Sequence, residues 1–236
     1  MNLWFWEAVY SCYTKLIKWF KRIFLTIGLL VLVVSVYHYF VNKNAYTNLP
    51  ENGKPGLELP IDKSGKIPNT IMPMGETINH DIKQGGHPGI DFQWQDGDDV
   101  KIYSSMDSEV IGIFKDKKGR YELATKNGEW GVDYTEMESI NPQLRVGSKL
   151  KIGDWVGIPN HPKEIKENPK YRMIHWQFGY SDYLIPGKVQ NRLCPMNYFS
   201  LSARILIEKI WADTDWPEMK SNAPEICSNY FKGRDK

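Results

Sequence analysis

Cysteine and histidine are scarce in this chain, with three of the first and five of the second among 236 residues. Three thiols are too few for a disulfide-dense scaffold or a four-thiolate metal site. The 30 Lys and Arg nearly cancel against 28 Asp and Glu, leaving a net charge of +2, so no global field favours nucleic acid. The sequence has no phosphate-cradling glycine loop, no serine-nucleophile motif and no internal repeat, which removes the common nucleotide-binding and serine-hydrolase classes and solenoid folds. Hydrophobic residues at 42% and charged residues at 25% exclude both wholesale disorder and a multi-span membrane protein.

One long apolar run is present. Residues 23–41, IFLTIGLLVLVVSVYHYFV, carry no formal charge. As a helix they span about 28 Å, close to the hydrocarbon core of a bilayer. Lys15, Lys18, Lys21 and Arg22 precede the run against a single Glu7, and only Lys43 follows closely. The positive-inside bias predicts a single span with the N-terminus in the cytoplasm and the C-terminal part outside. The run is long for a signal peptide's apolar region and no A-x-A site follows, so it reads as an uncleaved anchor. Residues 1–22 interleave Trp4, Phe5, Trp6, Tyr10, Tyr13, Trp19 and Phe20 with basic residues. They read as an amphipathic segment on the inner membrane surface, or as an extension of the anchor. Residues 42–69, rich in Asn, Gly, Pro and Lys, read as a linker that either reaches away from the membrane or wraps on the following domain.

From residue 70 to 198 the pattern is that of β structure. Runs at 100–105, 109–114, 120–125, 129–137 and 173–180 are separated by turn signals. Asn127-Gly128 is a two-residue hairpin signal, and Gly97-Asp98, Lys118-Gly119 and Pro186-Gly187 mark further turns. Apolar residues then take helical spacing over 200–213, with Ser200 as a candidate N-cap. Residues 199–236 are thus predicted to be a helix followed by a polar, Pro-broken tail. Cys12 lies before the span, while Cys194 and Cys227 lie in the exported part, where disulfides persist. We expect these two to pair and tie the tail to the β domain.

Outside the apolar run the histidines are His80, His87, His161 and His175. His87 and Asp91 form an H-x-x-x-D pair in GGHPGIDF, after Gly85 and Gly86 that let the backbone pass closely. Imidazole nitrogen and carboxylate oxygen suit Zn²⁺, and a catalytic zinc site needs three protein ligands with one position open. By itself the pair is a weak signal and reads first as a turn histidine and a solvated aspartate.

The surroundings add specificity. GGHPGIDF, DGDDVKIYSSMDSEVIGI at 96–113, RVGSKLKIGDWVGIPN at 145–160 and MIHWQFGY at 173–180 resemble, in order, the elements of the lysostaphin- and LytM-type zinc endopeptidases of the bacterial cell wall. In that family an H-x-H before an aromatic falls at His175, and a closing Asp-Pro is common where this chain has Cys194-Pro195. The resemblance covers about residues 70–198. It implies a compact, mainly antiparallel β domain with a two-sheet, partly open groove, zinc as cofactor, peptidoglycan as substrate, and metal-assisted amide hydrolysis. It also implies His87 and Asp91 as zinc ligands and His175, taken as the first histidine of H-x-H, as a catalytic residue.

Two positions depart from the family pattern under that alignment. The third ligand position is Gln177, a much poorer zinc ligand. The second catalytic histidine, in a Y-x-H segment, is replaced at Tyr134-Thr135-Glu136 by Glu136, a general base in principle. The reading favoured is a degenerate zinc site on a pseudoenzyme that binds peptidoglycan or regulates envelope-remodelling proteins, as some relatives lacking ligands activate wall amidases. The alternative is an active zinc endopeptidase in which His161, or less directly His80, replaces the missing ligand, or Gln177 ligates weakly. Exposed loop histidines are the plain reading of both. Trp94, Trp130, Trp155 and Trp176 are candidates for a substrate groove, core being the commoner fate of a strand tryptophan. The predicted location is the bacterial inner membrane, single-pass, with the domain extracytoplasmic.

Overall fold

The computed structural model describes residues 3–45, 56–62, 65–81, 86–163, 165–180, 191–223 and 225–228. The chain divides into two compact units, Met1–Asn44 and Ala45–Lys236.

The first unit is a helix, α1 (Leu3–Ala45). No proline interrupts this stretch, so no break separates the expected amphipathic segment from the expected span. The helix also takes up the first residues of the expected linker. Its stretch Lys15–Val36 has a mean hydropathy of 2.0 and no buried residue. Leu25, Leu29, Leu30 and Val33 are open to the surroundings, as a lipid-facing helix requires. By length and composition it is able to cross a membrane.

The second unit is mainly antiparallel β. Its strands are β1 (Thr70–Met72), β2 (Met74–Gly75), β3 (Ile90–Trp94), β4 (Ile102–Tyr103), β5 (Ser108–Lys115), β6 (Tyr121–Asn127), β7 (Trp130–Ile140), β8 (Lys149–Leu150), β9 (Trp155–Pro159), β10 (Arg172–Tyr180), β11 (Asn191–Arg192) and β12 (Cys227–Ser228). Among the described residues a short 3-10 turn (Pro195–Asn197) and two α-helices, α2 (Leu201–Asp213) and α3 (Pro217–Asn222), follow β11. The main sheet runs β1-β3-β10-β7-β6-β5-β8; β11 pairs with β10, and β9 with both β4 and β7. The strands expected from residue 109 onward thus form with small shifts, whereas the run at 100–105 contributes only two strand residues.

Local chemistry accounts for the turns. Asn127 and Trp130 are paired across the β6–β7 hairpin, and Gly128 takes a φ of 64° that a two-residue hairpin demands. Gly119, with a φ of 82°, closes the β5–β6 connection. Pro186-Gly187 lies outside the described residues. Ser200 caps α2, its hydroxyl accepting from the Ala203 amide at 3.1 Å.

The core is aromatic and aliphatic. Phe92, Trp94, Tyr134, Trp176 and Phe178 are buried, with Ile71, Ile90 and Ile174 beside them. Trp94 and Trp176 are therefore core residues and line no groove. Trp130 stacks on Phe178 with ring centroids 5.7 Å apart, and Trp155 donates its indole N–H to the Gly157 carbonyl. Leu57, Leu59 and Ile61 alternate into the same core, and the Leu57 amide donates to the Tyr198 carbonyl at 2.9 Å. This part of the expected linker wraps on the domain, each buried side chain contributing about 1.5–3 kcal/mol of transfer free energy.

The described part of the tail, up to residue 228, packs more closely than its polarity suggests. Met219, Ala223 and Ile226 are buried. The Cys194–Cys227 disulfide holds the segment, and β12 pairs in parallel with β2.

Candidate metal centre

Two adjacent strands bring the reactive side chains together. His87 lies before β3, where its backbone exchanges hydrogen bonds with Gly75: the His87 amide donates at 2.6 Å and the Gly75 amide at 2.9 Å. The chain then bends through Pro88-Gly89 into β3. Gly89 is required at that bend, because a Cβ there would stand 2.2 Å from the Trp176 carbonyl oxygen. Asp91 on β3 lies directly opposite His175 on β10, so their side chains share one face of the sheet.

His87, Asp91 and His175 are all buried, and one donor atom from each lies within 4.8 Å of the others. His87 Nε2 is 3.1 Å from His175 Nδ1 and 3.2 Å from Asp91 Oδ1. His175 Nδ1 is 2.6 Å from Asp91 Oδ1. Tetrahedral zinc bound at about 2.1 Å needs donor separations of about 3.4 Å, so two of the three spacings already fit and the third needs a modest opening. Two imidazoles and a carboxylate are also a suitable donor set for zinc.

Supporting contacts fix the rings. The His87 Nδ1–H donates to the Pro73 carbonyl at 2.7 Å, which leaves Nε2 facing Asp91 and His175. On the far side of His175, Nε2 receives the Gln177 amide N–H at 2.6 Å, and Arg192 Nε–H donates to Gln177 Oε1 at 2.7 Å.

Electrostatics follow from burial and contact. Burial alone would raise the Asp91 carboxyl, but His87 and His175, by charge and hydrogen bond, hold it well below the usual carboxylate range. Burial opposes a charge on His87, yet the Asp91 carboxylate, the Pro73 carbonyl and the more distant Glu136 raise it above the ordinary histidine value. Burial and then the Asp91 charge raise the Tyr171 phenol, so it keeps its proton at neutral pH.

The expected site residues do not all meet. Gln177 lies on the same face of β10 as His175 but two residues farther along, and its amide touches the outer nitrogen of His175 instead of facing Asp91. The register explains this. β10 meets β3 with Trp176 opposite Ile90 as its last pair, and Gln177 lies beyond it, opposite Asp133 of β7. His161 donates its Nδ1–H to the Tyr171 carbonyl at 2.9 Å and does not join the cluster. His80 packs its ring 4.8 Å from that of His87, its Nδ1 3.1 Å from the Thr77 hydroxyl oxygen, and burial together with His87 lowers its pKa. Glu136 sits in a β-bulge of β7 with a φ of 63°, its carboxylate 2.7 Å from Arg120 Nη1. Gly86, at a φ of 62°, occupies the approach to His87, and Gly85 lies outside the described residues. Arg192 and the Pro73 carbonyl carry no motif that marks them in the sequence.

No protein-family model matches the chain, and comparison with curated proteins returns no match. Solved structures do match. Csd3 of Helicobacter pylori is 18% identical with a TM-score of 0.43, the match covering 66% of this chain. This chain spans only 40% of the Csd3 chain. A SpoIIIAH–SpoIIQ complex matches at 15% identity and a TM-score of 0.43, over 61% of this chain and 99% of that one. The catalytic domain of the antimicrobial peptidase lysostaphin from Staphylococcus simulans matches at 16% identity and a TM-score of 0.39, over 53% of this chain and 87% of that one.

Proposed function

We propose that the chain is a single-pass, membrane-anchored protein of the bacterial envelope whose β unit holds zinc and engages peptidoglycan without cleaving it. One observation carries this reading: His175 stands with His87 and Asp91 as a third donor. That supplies the ligand thought to be missing. It also removes His175 from the catalytic role that the resemblance to the lysostaphin and LytM family implies.

The family pattern accommodates the change. With Trp176 as the aromatic that follows H-x-H, His175 is the second histidine of that pair and the first position holds Met173. A thioether transfers no proton. The other assisting position holds Glu136, whose carboxylate is ion-paired to Arg120. The metal centre is therefore complete, and the proton-handling groups beside it are replaced. Zinc, when bound, supplies Lewis acidity that polarises a carbonyl oxygen of a peptide ligand. Asp91 stays ionised, and His87, fixed by Pro73, presents an unprotonated Nε2 once neutral. The anchor places the unit outside the inner membrane, within reach of the wall and of envelope-remodelling proteins.

A second reading is amide hydrolysis with Glu136 as general base. Its support is the three-donor set, which leaves a zinc position open as in catalytic sites, and the electrostatic reach of Glu136 to His87. The test is incubation of the zinc-loaded, detergent-solubilised full chain with purified sacculi, followed by sedimentation and mass spectrometry of soluble fragments. Sedimentation with the sacculi and no new amine termini is expected. Fragments that vanish with His175→Ala would replace the first reading by the second, and neither binding nor fragments would overturn both.

A further inference from the structure

We infer that Arg192 and Gln177 form a latch that holds His175 in the tautomer opposed to metal binding, so that this pair sets the zinc affinity of the site. The inference rests on the metal-centre reading above and concerns residues behind the ligands.

Arg192 Nε–H is always a donor, so the Gln177 atom 2.7 Å away must be its oxygen. The Gln177 amide nitrogen then faces His175 Nε2 at 2.6 Å and has only protons to offer. His175 Nε2 must accept, and the proton of the neutral ring sits on Nδ1. There it points at Asp91 Oδ1, 2.6 Å away. The chain Arg192 to Gln177 to His175 to Asp91 runs with every donor facing an acceptor. Gln177 is buried, so water does not readily stand in for a lost partner.

Metal binding at His175 Nδ1 needs the opposite arrangement. The proton must move to Nε2, where it meets the Gln177 amide protons. Turning the Gln177 amide over relieves that clash but sets its amide protons against Arg192 Nε–H. Whichever way the amide faces, one donor opposes another while a metal occupies Nδ1. His87 has no such conflict, because its outer nitrogen donates to a carbonyl and its inner one is left open. The two ligating histidines are thus supported in opposite senses.

A carboxylate at position 177 accepts from both sides and removes the conflict. The test uses the full chain in detergent micelles, labelled with ¹⁵N-histidine and stripped with EDTA. Long-range proton–nitrogen correlation spectra at pH 8 report which ring nitrogen carries the proton. The wild type is expected to show His175 protonated on Nδ1 alone, and Gln177→Glu to show Nε2 protonated as well, because a carboxylate there accepts from Nε2 while Asp91 still accepts from Nδ1. Zinc titration against a fluorescent chelator then reads affinity. Gln177→Glu and, by freeing the amide to turn, Arg192→Met are each expected to bind zinc at least about tenfold more tightly, the scale on which outer partners of a ligand act. A wild-type Nε2–H signal overturns the latch without recourse to any variant. Equal or weaker zinc binding by Gln177→Glu than by a zinc-binding wild type overturns the latch alone. An Nδ1–H signal with no zinc bound by any form overturns the metal-centre reading, and the latch falls with it as a control on affinity.

Discussion

His175 Nδ1 and Asp91 Oδ1 face each other at 2.6 Å across two neighbouring strands, from residues in direct register. This cross-strand pair organises the site, because His87 reaches it from the loop before β3. Both partners are buried, and Asp91 depends on His87 and His175 for its state of charge.

That dependence gives the metal-free chain a distinct pH profile. His87 is raised above its ordinary value of 6.5, so its contribution to stability is complete below pH 6.5 and is lost as pH rises through its folded value. Asp91 is lowered from 3.8, so its contribution is complete above pH 3.8 and is lost as pH falls through its folded value. Denaturant unfolding of EDTA-treated protein is expected to show stability declining above pH 6.5, with the slope reduced in His87→Gln. With zinc present the trend on the alkaline side reverses, because the metal displaces the His87 proton.

Gly89 governs the fit of the two ligand strands. A Cβ at this position would meet the Trp176 carbonyl oxygen at 2.2 Å and Gln177 Cγ at 2.8 Å. Gly89→Ala is expected to cost at least about 1–3 kcal/mol, the usual cost of overpacking, and to lower zinc occupancy by displacing β10 from β3. Thermal unfolding and metal content of the same preparation check both effects.

The disulfide closes a separation of 33 residues between Cys194 and Cys227. The chain-entropy model assigns such a loop about 3–4 kcal/mol. Cys227→Ser is expected to lose stability on that scale. It should also release β12 from β2, read as faster amide exchange at Met74, whose N–H donates to the Ile226 carbonyl.

The topology prediction follows from the charge flanking the apolar helix. Proteinase added to spheroplasts expressing the chain is expected to digest the unit after residue 45 and to spare an N-terminal tag. Digestion of the tag with the β unit protected would invert the orientation.

The strands β5, β6, β7 and β10 were legible because their apolar alternation and turn residues coincide, as at Asn127-Gly128. The helix α2 was legible from its spacing and from Ser200. Leu57, Leu59 and Ile61 carry the same alternation, but Pro and Gly around them read as linker. The pairing of Cys194 with Cys227 followed from compartment and count. The role of His175 was not legible, because alternation puts residues 173, 175 and 177 on one face of β10 without saying which of them meets Asp91. Only the register with β3 decides that. The aromatic at Trp176 was the one local signal in favour of His175. Arg192 acts through tertiary contact and leaves no local pattern.

The most direct test of the account is the zinc content of the full chain, purified in detergent and measured by elemental analysis after mild dialysis, beside His175→Ala and Gln177→Ala. The account predicts near-stoichiometric zinc in the wild type, its loss in His175→Ala and its retention in Gln177→Ala. Zinc retained by His175→Ala and lost from Gln177→Ala, or no zinc in the wild type after metal is added back, would contradict it.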